Sequence, residues 1–446
     1  MNYALDSAIA DSHVFASVSK YLRKDSRSVH NRLNSIAHDS EFVLEVAAAY
    51  DLPLVANERC GRWYISPDKI EESVYFKSTD GHTGQWNFST RRLNLHIIDL
   101  AIERGGVVIV DSTRRGKRMP DSLSKTIPIW CSVINRSLFA SDIECGVLHL
   151  PRQSVPSSER AQIESRMDEM VESFVNSGVD LVRLKSKLDK PLRPIWVTPD
   201  PKLVLPSEPP KSSEFYTIVL CTASRMVLDG SERRLGYTYV QGAADDHEEW
   251  ASTLTPTLFW SNKELLLTAS DLEVEELLQN KALKSTSKEA DSYDVSGIGE
   301  SGIWIGRKGQ KYGRFQYVID LSTSISPSTE DKGQNVLRLS LPDGKKGSKR
   351  LRTELASVTD FYTRAIDKDA EAVLIVCNSG SDFAVGAALT IMALYHDDDG
   401  KLRADKSKVL RVDKDTIRKR LTFIITQRKV NPSRATLQAV NAFLMS

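Results

Sequence analysis

The sequence predicts an α/β protein of two domains, a larger N-terminal one over residues 1–285 and a smaller one over residues 300–446. Three observations carry this. Val107-Val108-Ile109-Val110 is an unbroken apolar run, the pattern of a strand buried on both faces of a parallel sheet. A second such run, Val373-Leu374-Ile375-Val376, leads through a small polar turn into an apolar helical stretch, Val385 to Tyr395. Between them, Lys281 to Ser301 is rich in Ser, Lys, Glu and Gly with few apolar anchors, the composition of a linker.

The other elements follow in order. Residues 1 to 50 read as helix, closed by Asp51-Leu52-Pro53. Short strands are expected near Trp63-Tyr64-Ile65 and Val74-Tyr75-Phe76. In Arg91 to Arg104, Leu93, Ile97, Leu100 and Ala101 recur at helical spacing, and Gly105-Gly106 ends the helix. Ile163, Met167, Met170, Val171 and Phe174 suit one amphipathic helix that stops at Gly178. Seven prolines from Pro191 to Pro210 make Lys190 to Ser213 read as a proline-rich strap. Asn431 and Pro432 suit the N-cap and first turn of a last helix that turns Leu437, Val440 and Leu444 inward.

A chain of 446 residues can build a core in each domain. No apolar run approaches the roughly 20 residues that span a bilayer. The five cysteines are widely spaced, without Cys-x-x-Cys. That pattern argues against a disulfide framework or a cysteine zinc site and points to a reducing, cytoplasmic compartment. With a net charge of +1, any surface for nucleic acid must be local, because phosphate neutralisation needs clustered cations. The basic runs are Arg114 to Arg118, Arg183 to Arg193 and Lys345 to Arg352.

Four segments could carry chemistry. A buried strand that turns into a helix through Cys377-Asn378-Ser379-Gly380-Ser381-Asp382 aims backbone N–H groups at an anion. Cys377, Ser379, Gly380, Ser381 and Asp382 are therefore candidate phosphate contacts. Cysteine phosphatases place an arginine six residues after the cysteine, where this chain has Phe383. The second segment, Asp111 to Arg118, sets an acid, two hydroxyls and four cations at the end of a buried strand, where α/β sheets bind ligands. Thr113, Arg114, Arg115, Lys117 and Arg118 could hold phosphate or diphosphate oxygens. Asp111 could bind magnesium, orient a ribose hydroxyl or stabilise a cationic sugar centre. The third, Lys77 to Gly84, offers Ser78, Asp80 and His82, and His82 could be a general base. On spacing alone, a tight loop capped by its own Ser and Asp side chains is the better reading. The fourth brings Asp245 and Asp246 together, to hold magnesium or simply to begin a helix.

Taken together these strings resemble one family, the initiator-tRNA 2′-O-ribosylphosphate transferases of fungi and plants. The likeness is carried by Tyr75 to His82, Gln85-Trp86, Arg91 to Leu95, Val110 to Thr126 and Ile129 to Arg136. It continues through Gly236-Tyr237, Tyr239 to Ala243, Asp245 to Glu248 and Leu254-Thr255-Pro256, so it spans nearly the whole chain. The resemblance implies transfer of a 5-phosphoribosyl group from phosphoribosyl pyrophosphate to the 2′-hydroxyl of purine 64 in the T-stem of initiator tRNA, which keeps that tRNA out of elongation. It also implies a C-terminal part like a dual-specificity phosphatase. One departure is Gly380-Ser381-Asp382, where Gly-Lys-Asp is expected.

The chemistry assigns roles to the candidates. Asp111 or Asp80 would stabilise the positive sugar, and His82 or Asp111 would accept the hydroxyl proton. Magnesium, arriving with the donor's diphosphate, would act with Arg114, Arg115, Lys117 and Arg118; Lys125, in the matching string, joins the substrate contacts. No residue is assigned as a metal ligand. The competing readings are a cysteine-phosphatase-like phosphohydrolase and a non-catalytic RNA- or phosphate-binding module.

Overall fold

The structure, a computed structural model of the chain, describes residues 28–79, 84–280, 282–283, 295–308, 315–323, 335–404 and 412–446. The described residues form two compact units. The first takes those up to Phe88, those from Ile97 to Val171 and those from Leu181 to residue 283. The second takes Ser89–His96, Glu172–Asp180 and the described residues beyond 294.

In the first unit β1 (Leu54–Asn57), β2 (Ile70–Val74), β3 (Gly106–Asp111), β4 (Leu192–Val197) and β5 (Tyr216–Thr222) form one sheet in the order β2-β1-β3-β5-β4. All four pairings are parallel. A separate antiparallel pair, β6 (Ser231–Arg233) and β7 (Thr238–Val240), follows it. Every residue of β1, β3 and β5 is buried, as unbroken apolar runs require. The chain leaves β1 for β2 on one side and returns to β3 on the other, so strand order reverses between β1 and β3. Helix α1 (Val29–Tyr50) buries Leu33, Ile36, Val43 and Val46. Ser28 caps it by accepting from the Asn31 N–H at 3.2 Å.

Several elements differ from the sequence expectation. Residues 1–27 of the first expected helix lie outside the described residues. Leu54–Asn57 is a strand too short to show a period, and Trp63-Tyr64 lie in a 3-10 turn, Gly61–Tyr64, rather than a strand. The second short strand ends at Val74 instead of beginning there. Helix α2 starts only at His96 and runs to Arg104, because Asn94 adopts a left-handed φ of 50° that a helix cannot continue through. The helix expected from Ile163 to Gly178 is two, Ser157–Glu164 and Met167–Val175. The proline-rich strap contains β4, with Pro194 inside it. Proline is tolerated there because β4 is an edge strand. Asn135 of α3 (Ile127–Leu138) bonds both the N–H and the carbonyl of Leu192, each at 2.9 Å.

In the second unit β8 (Val295–Gly297), β9 (Ile303–Arg307), β10 (Tyr317–Asp320), β11 (Asn335–Arg338) and β12 (Val373–Cys377) form a sheet in the order β11-β10-β12-β9-β8. Only β8 is antiparallel to its neighbour. Helices α4 (Lys345–Ile366), α5 (Phe383–Tyr395), α6 (Lys414–Gln427) and α7 (Arg434–Leu444) accompany it. Nearly all of α5 is buried, which fits a helix apolar all round. Helix α7 is capped by Ser433, whose Oγ accepts from the Thr436 N–H at 3.1 Å, two residues later than Asn431. No helix among the described residues is long and apolar enough to cross a membrane.

Candidate functional site

The reversal between β1 and β3 places Asn57 and Asp111 side by side at the C-terminal ends of those strands, the usual ligand position in such a sheet. Asp111 is fully buried and takes five donors. Its Oδ2 accepts from Asn57 Nδ2 at 2.8 Å, from Arg59 Nε at 3.2 Å and from the Ser122 hydroxyl. Its Oδ1 accepts from the Cys60 thiol at 2.9 Å and the Ser112 N–H at 2.8 Å. Burial pushes the Cys60 thiol well above its ordinary pKa, so Cys60 serves as a donor and not as a thiolate. Arg59 also pairs with Asp245 and donates to the Ser112 carbonyl. One guanidinium thus links two buried carboxylates, an arrangement whose geometry must be complete to offset desolvation. Burial raises the Asp245 pKa against the opposing pull of Arg59.

The cation-rich loop is pinned from behind. Gln241 Nε2 donates to the carbonyls of Arg114 and Lys117 at 3.1 and 2.7 Å. Gly242 has a φ of 63°, and a Cβ there would lie 2.4 Å from the Thr113 carbonyl. Only glycine fits. Arg114 and Arg115 are exposed, with Asp246 and Asp229 at 3.7 and 3.8 Å; such loose surface pairs contribute little and leave the guanidinium forks available to a ligand. Arg118 pairs with Asp200 at 2.9 Å.

A second acid organises the neighbouring loop. Asp121 accepts from Thr79 at 3.0 Å and pairs with Lys117 and Lys125 at 3.3 and 3.5 Å. Lys125 also meets Glu159 at 2.8 Å. Ser122 and Lys125 lie on a single π-helical turn, Ser122–Thr126, a form often found at functional sites. Thr126 bonds the Lys77 carbonyl at 2.9 Å, so Lys77–Thr79 reaches this cluster. Asp80 and His82, which follow directly, lie outside the described residues. The hydroxyls of Ser78, Thr113 and Thr222 are buried without a hydrogen-bond partner, which a polar ligand would relieve.

Asp111, Ser78, Thr113 to Arg118, Lys125 and Asp245 thus belong to one loop cluster, joined to Asp246 through Arg114. The sequence reading missed Asn57, Arg59 and Cys60 as parts of it, and took Asp121 to Lys125 as a charged string without giving Asp121 or Ser122 a place in the site. Asn57 had a signal: it is a polar residue ending a short apolar run, as Asp111 does. Magnesium does not fit these carboxylates as protein ligands. Asp111, Asp121 and Asp245 each already face a cation, and no group of three His, Cys, Asp or Glu gathers around a common point among the described residues.

The Cys377 loop belongs to the second unit. Cys377 is buried, with its Sγ 3.7 Å from Ser379 Oγ. Ser379 accepts from the Ser381 N–H at 3.2 Å, and Gly380 takes a φ of 67°. Asn378 ties the loop to Thr323 and Asp343 at 3.1 and 3.0 Å. Asp382 is turned to helix α7, accepting from the Ser433 N–H at 2.8 Å. Phe383 is a core residue whose ring lies against Gly347. The position of a phosphatase's arginine is therefore occupied by packing.

Residues 22–283 match the family described as the Rit1 N-terminal domain, and residues 335–444 match the Rit1 DUSP-like domain. An uncharacterised protein of Schizosaccharomyces pombe is 40% identical, over 94% of this chain and 95% of its own length. The tRNA A64-2′-O-ribosylphosphate transferase of Saccharomyces cerevisiae is 34% identical, over 98% of this chain and 97% of its own. Among solved structures, human DUSP28 is similar at 11% identity and a TM-score of 0.25, covering 33% of this chain and 91% of that one. The Yvh1 phosphatase domain of Chaetomium thermophilum is similar at 10% identity and a TM-score of 0.26, covering 33% and 94%. With a family match across most of the chain and relatives at this identity over nearly its full length, this chain belongs to the Rit1 family.

Proposed function

We propose that the chain is a tRNA 2′-O-ribosylphosphate transferase, a pentosyltransferase that moves a 5-phosphoribosyl group from phosphoribosyl pyrophosphate to the 2′-hydroxyl of purine 64 in initiator tRNA. The observation that carries this is the strand-end cluster of the first unit. There Arg114, Arg115, Lys117 and Arg118 follow directly on Asp111 and the buried, unpartnered Thr113 hydroxyl, at the reversal of strand order. Family membership, and the name of the yeast relative, supply the acceptor.

In the reaction the bond from C1 to the diphosphate oxygen breaks and a bond from C1 to the tRNA 2′-oxygen forms. The 2′-hydroxyl proton passes to a base, and diphosphate leaves. Arg114 and Arg115 hold diphosphate oxygens through their forked donors, while Ser78 and Thr113 satisfy their hydroxyls on the donor. Magnesium bound to the donor's diphosphate would neutralise charge on the leaving group. With five donors already on it, Asp111 has no free lone pair to take a proton; it fixes Arg59 and the loop and supplies negative potential near the sugar. The proton acceptor is then His82 or Asp80.

The test is incubation of the protein with bulk tRNA and phosphoribosyl pyrophosphate labelled in its ribose, followed by mapping of any labelled nucleotide. Label at position 64 of initiator tRNA is expected. Release of phosphate without label in tRNA would overturn the transferase reading in favour of a phosphohydrolase.

A further inference from the structure

The string Arg91 to Leu95 takes no part in the cluster above, and it belongs to the phosphatase-like unit. Leu93 is buried. Asn94, at a φ of 50°, folds back so that its Nδ2 donates to the Arg92 carbonyl at 3.2 Å. The leucine anchors the strap and the tight bend holds its arginines at the surface. Arg92 Nε donates to Asn431 Oδ1 at 3.0 Å. Three residues beyond Asn431, exposed Arg434 opens helix α7. The intervening Ser433 is bonded to Asp382, which sets this corner on the flank of the Cys377 loop.

Arg91 is exposed yet partly desolvated. That burial, together with the fields of Arg92 and Arg434, lowers its pKa. The Arg92–Asn431 bond thus brings Arg91 and Arg92 to one corner with Arg434, a segment far away in sequence, and like charges there repel. An anion relieves such repulsion, and forked donors match phosphate oxygens in geometry. Several cations spread over a surface corner, rather than converging in a pocket, suit a polyanion whose phosphates recur along a backbone.

We propose that Arg91, Arg92 and Arg434 form a docking site on the phosphatase-like unit for the phosphodiester backbone of the RNA substrate. The inference rests on tRNA being that substrate. It assigns the unit a binding role that needs neither the cysteine nor a signature arginine.

The experiment uses the full chain carrying Arg91→Ala/Arg434→Ala, with far-UV circular dichroism and a thermal melt to establish that it folds. Affinity for purified tRNA is measured across a series of potassium chloride concentrations. Affinity is expected to fall about 10-fold or more, and the slope of log affinity against log salt to become shallower by about 2, one for each phosphate that is no longer neutralised. The KM for phosphoribosyl pyrophosphate and kcat at saturating tRNA should not change. Arg91→Lys/Arg434→Lys should restore the slope, since it restores the charges. Unchanged tRNA affinity and salt slope in the alanine variant would overturn the docking site. Label transfer by the wild-type chain tests the function separately: a chain that binds tRNA but transfers nothing loses the transferase reading, while affinity and slope still decide the docking site.

Discussion

The Asn57 amide and the Asp111 carboxylate meet at 2.8 Å across the junction of β1 and β3, where strand order reverses. Asn57 is buried and also bonds Phe76 in both directions, to its carbonyl at 3.0 Å and from its N–H at 2.8 Å. One side chain therefore ties two strand ends to the loop that runs on to Ser78. Asn57→Ala leaves a buried N–H, a carbonyl and a carboxylate oxygen short of a partner. Urea denaturation should show a loss of about 3 kcal/mol. A loss under about 0.5 kcal/mol would mean that these bonds do not organise the site.

Gly242→Ala should displace the cation-rich loop. The new methyl would meet the Thr113 carbonyl at 2.4 Å, in a left-handed conformation that alanine resists. Calorimetric titration with phosphoribosyl pyrophosphate should show affinity reduced about 10-fold or more, with stability lowered by roughly 1–3 kcal/mol. Wild-type donor affinity would show that the loop is not held by this contact.

Arg114→Ala/Arg115→Ala addresses the donor directly. Charge-assisted contacts to diphosphate are each worth about 1.5–3 kcal/mol, while the surface pairs with Asp246 and Asp229 contribute little to folding. The KM for the donor should rise by at least about 10-fold with the melting temperature almost unchanged. An unaltered KM removes these arginines from the donor site.

Cys377→Ser should keep most transferase activity. The thiol contacts only the small Ser379 hydroxyl among the bonds described for it, and Phe383 fills the place of a phosphate-gripping arginine. A hydroxyl preserves the loop's shape. A fall on the order of 10⁴-fold, as for loss of a covalent nucleophile, would contradict a binding role for this unit.

His396 makes the second unit sensitive to acid. Its ring is fully buried, with Nε2 3.1 Å from the Ser301 carbonyl and 3.3 Å from the Tyr362 hydroxyl. Burial lowers its pKa to about 4, below the ordinary value near 6.5. The unfolded chain therefore takes up this proton first as pH falls. Stability present at pH 7 is lost between about pH 6.5 and 4, by on the order of 3 kcal/mol. His396→Gln should show a shallower loss over that range in urea denaturation; an identical profile would assign the acid sensitivity to other groups.

The sequence by itself determined the two-unit α/β character, because buried parallel strands need unbroken apolar runs, as at Val107–Val110 and Val373–Val376. It also determined that Asp111 and four cations stand at the end of such a strand, since a strand's end is readable wherever hydrophobicity stops abruptly. Family resemblance was legible in long, uncommon strings. Tertiary structure alone decided which partners Asp111 takes. Asn57, Arg59 and Ser122 come from segments up to 65 residues apart along the chain, and they meet only because β3 crosses back beside β1. It likewise turned the proline-rich strap into an edge strand and broke the helix expected at Arg91. Edge pairing is set by the packing of distant residues, and the left-handed bend at Asn94 comes with a side-chain bond to the Arg92 carbonyl; periodicity along one segment reports neither.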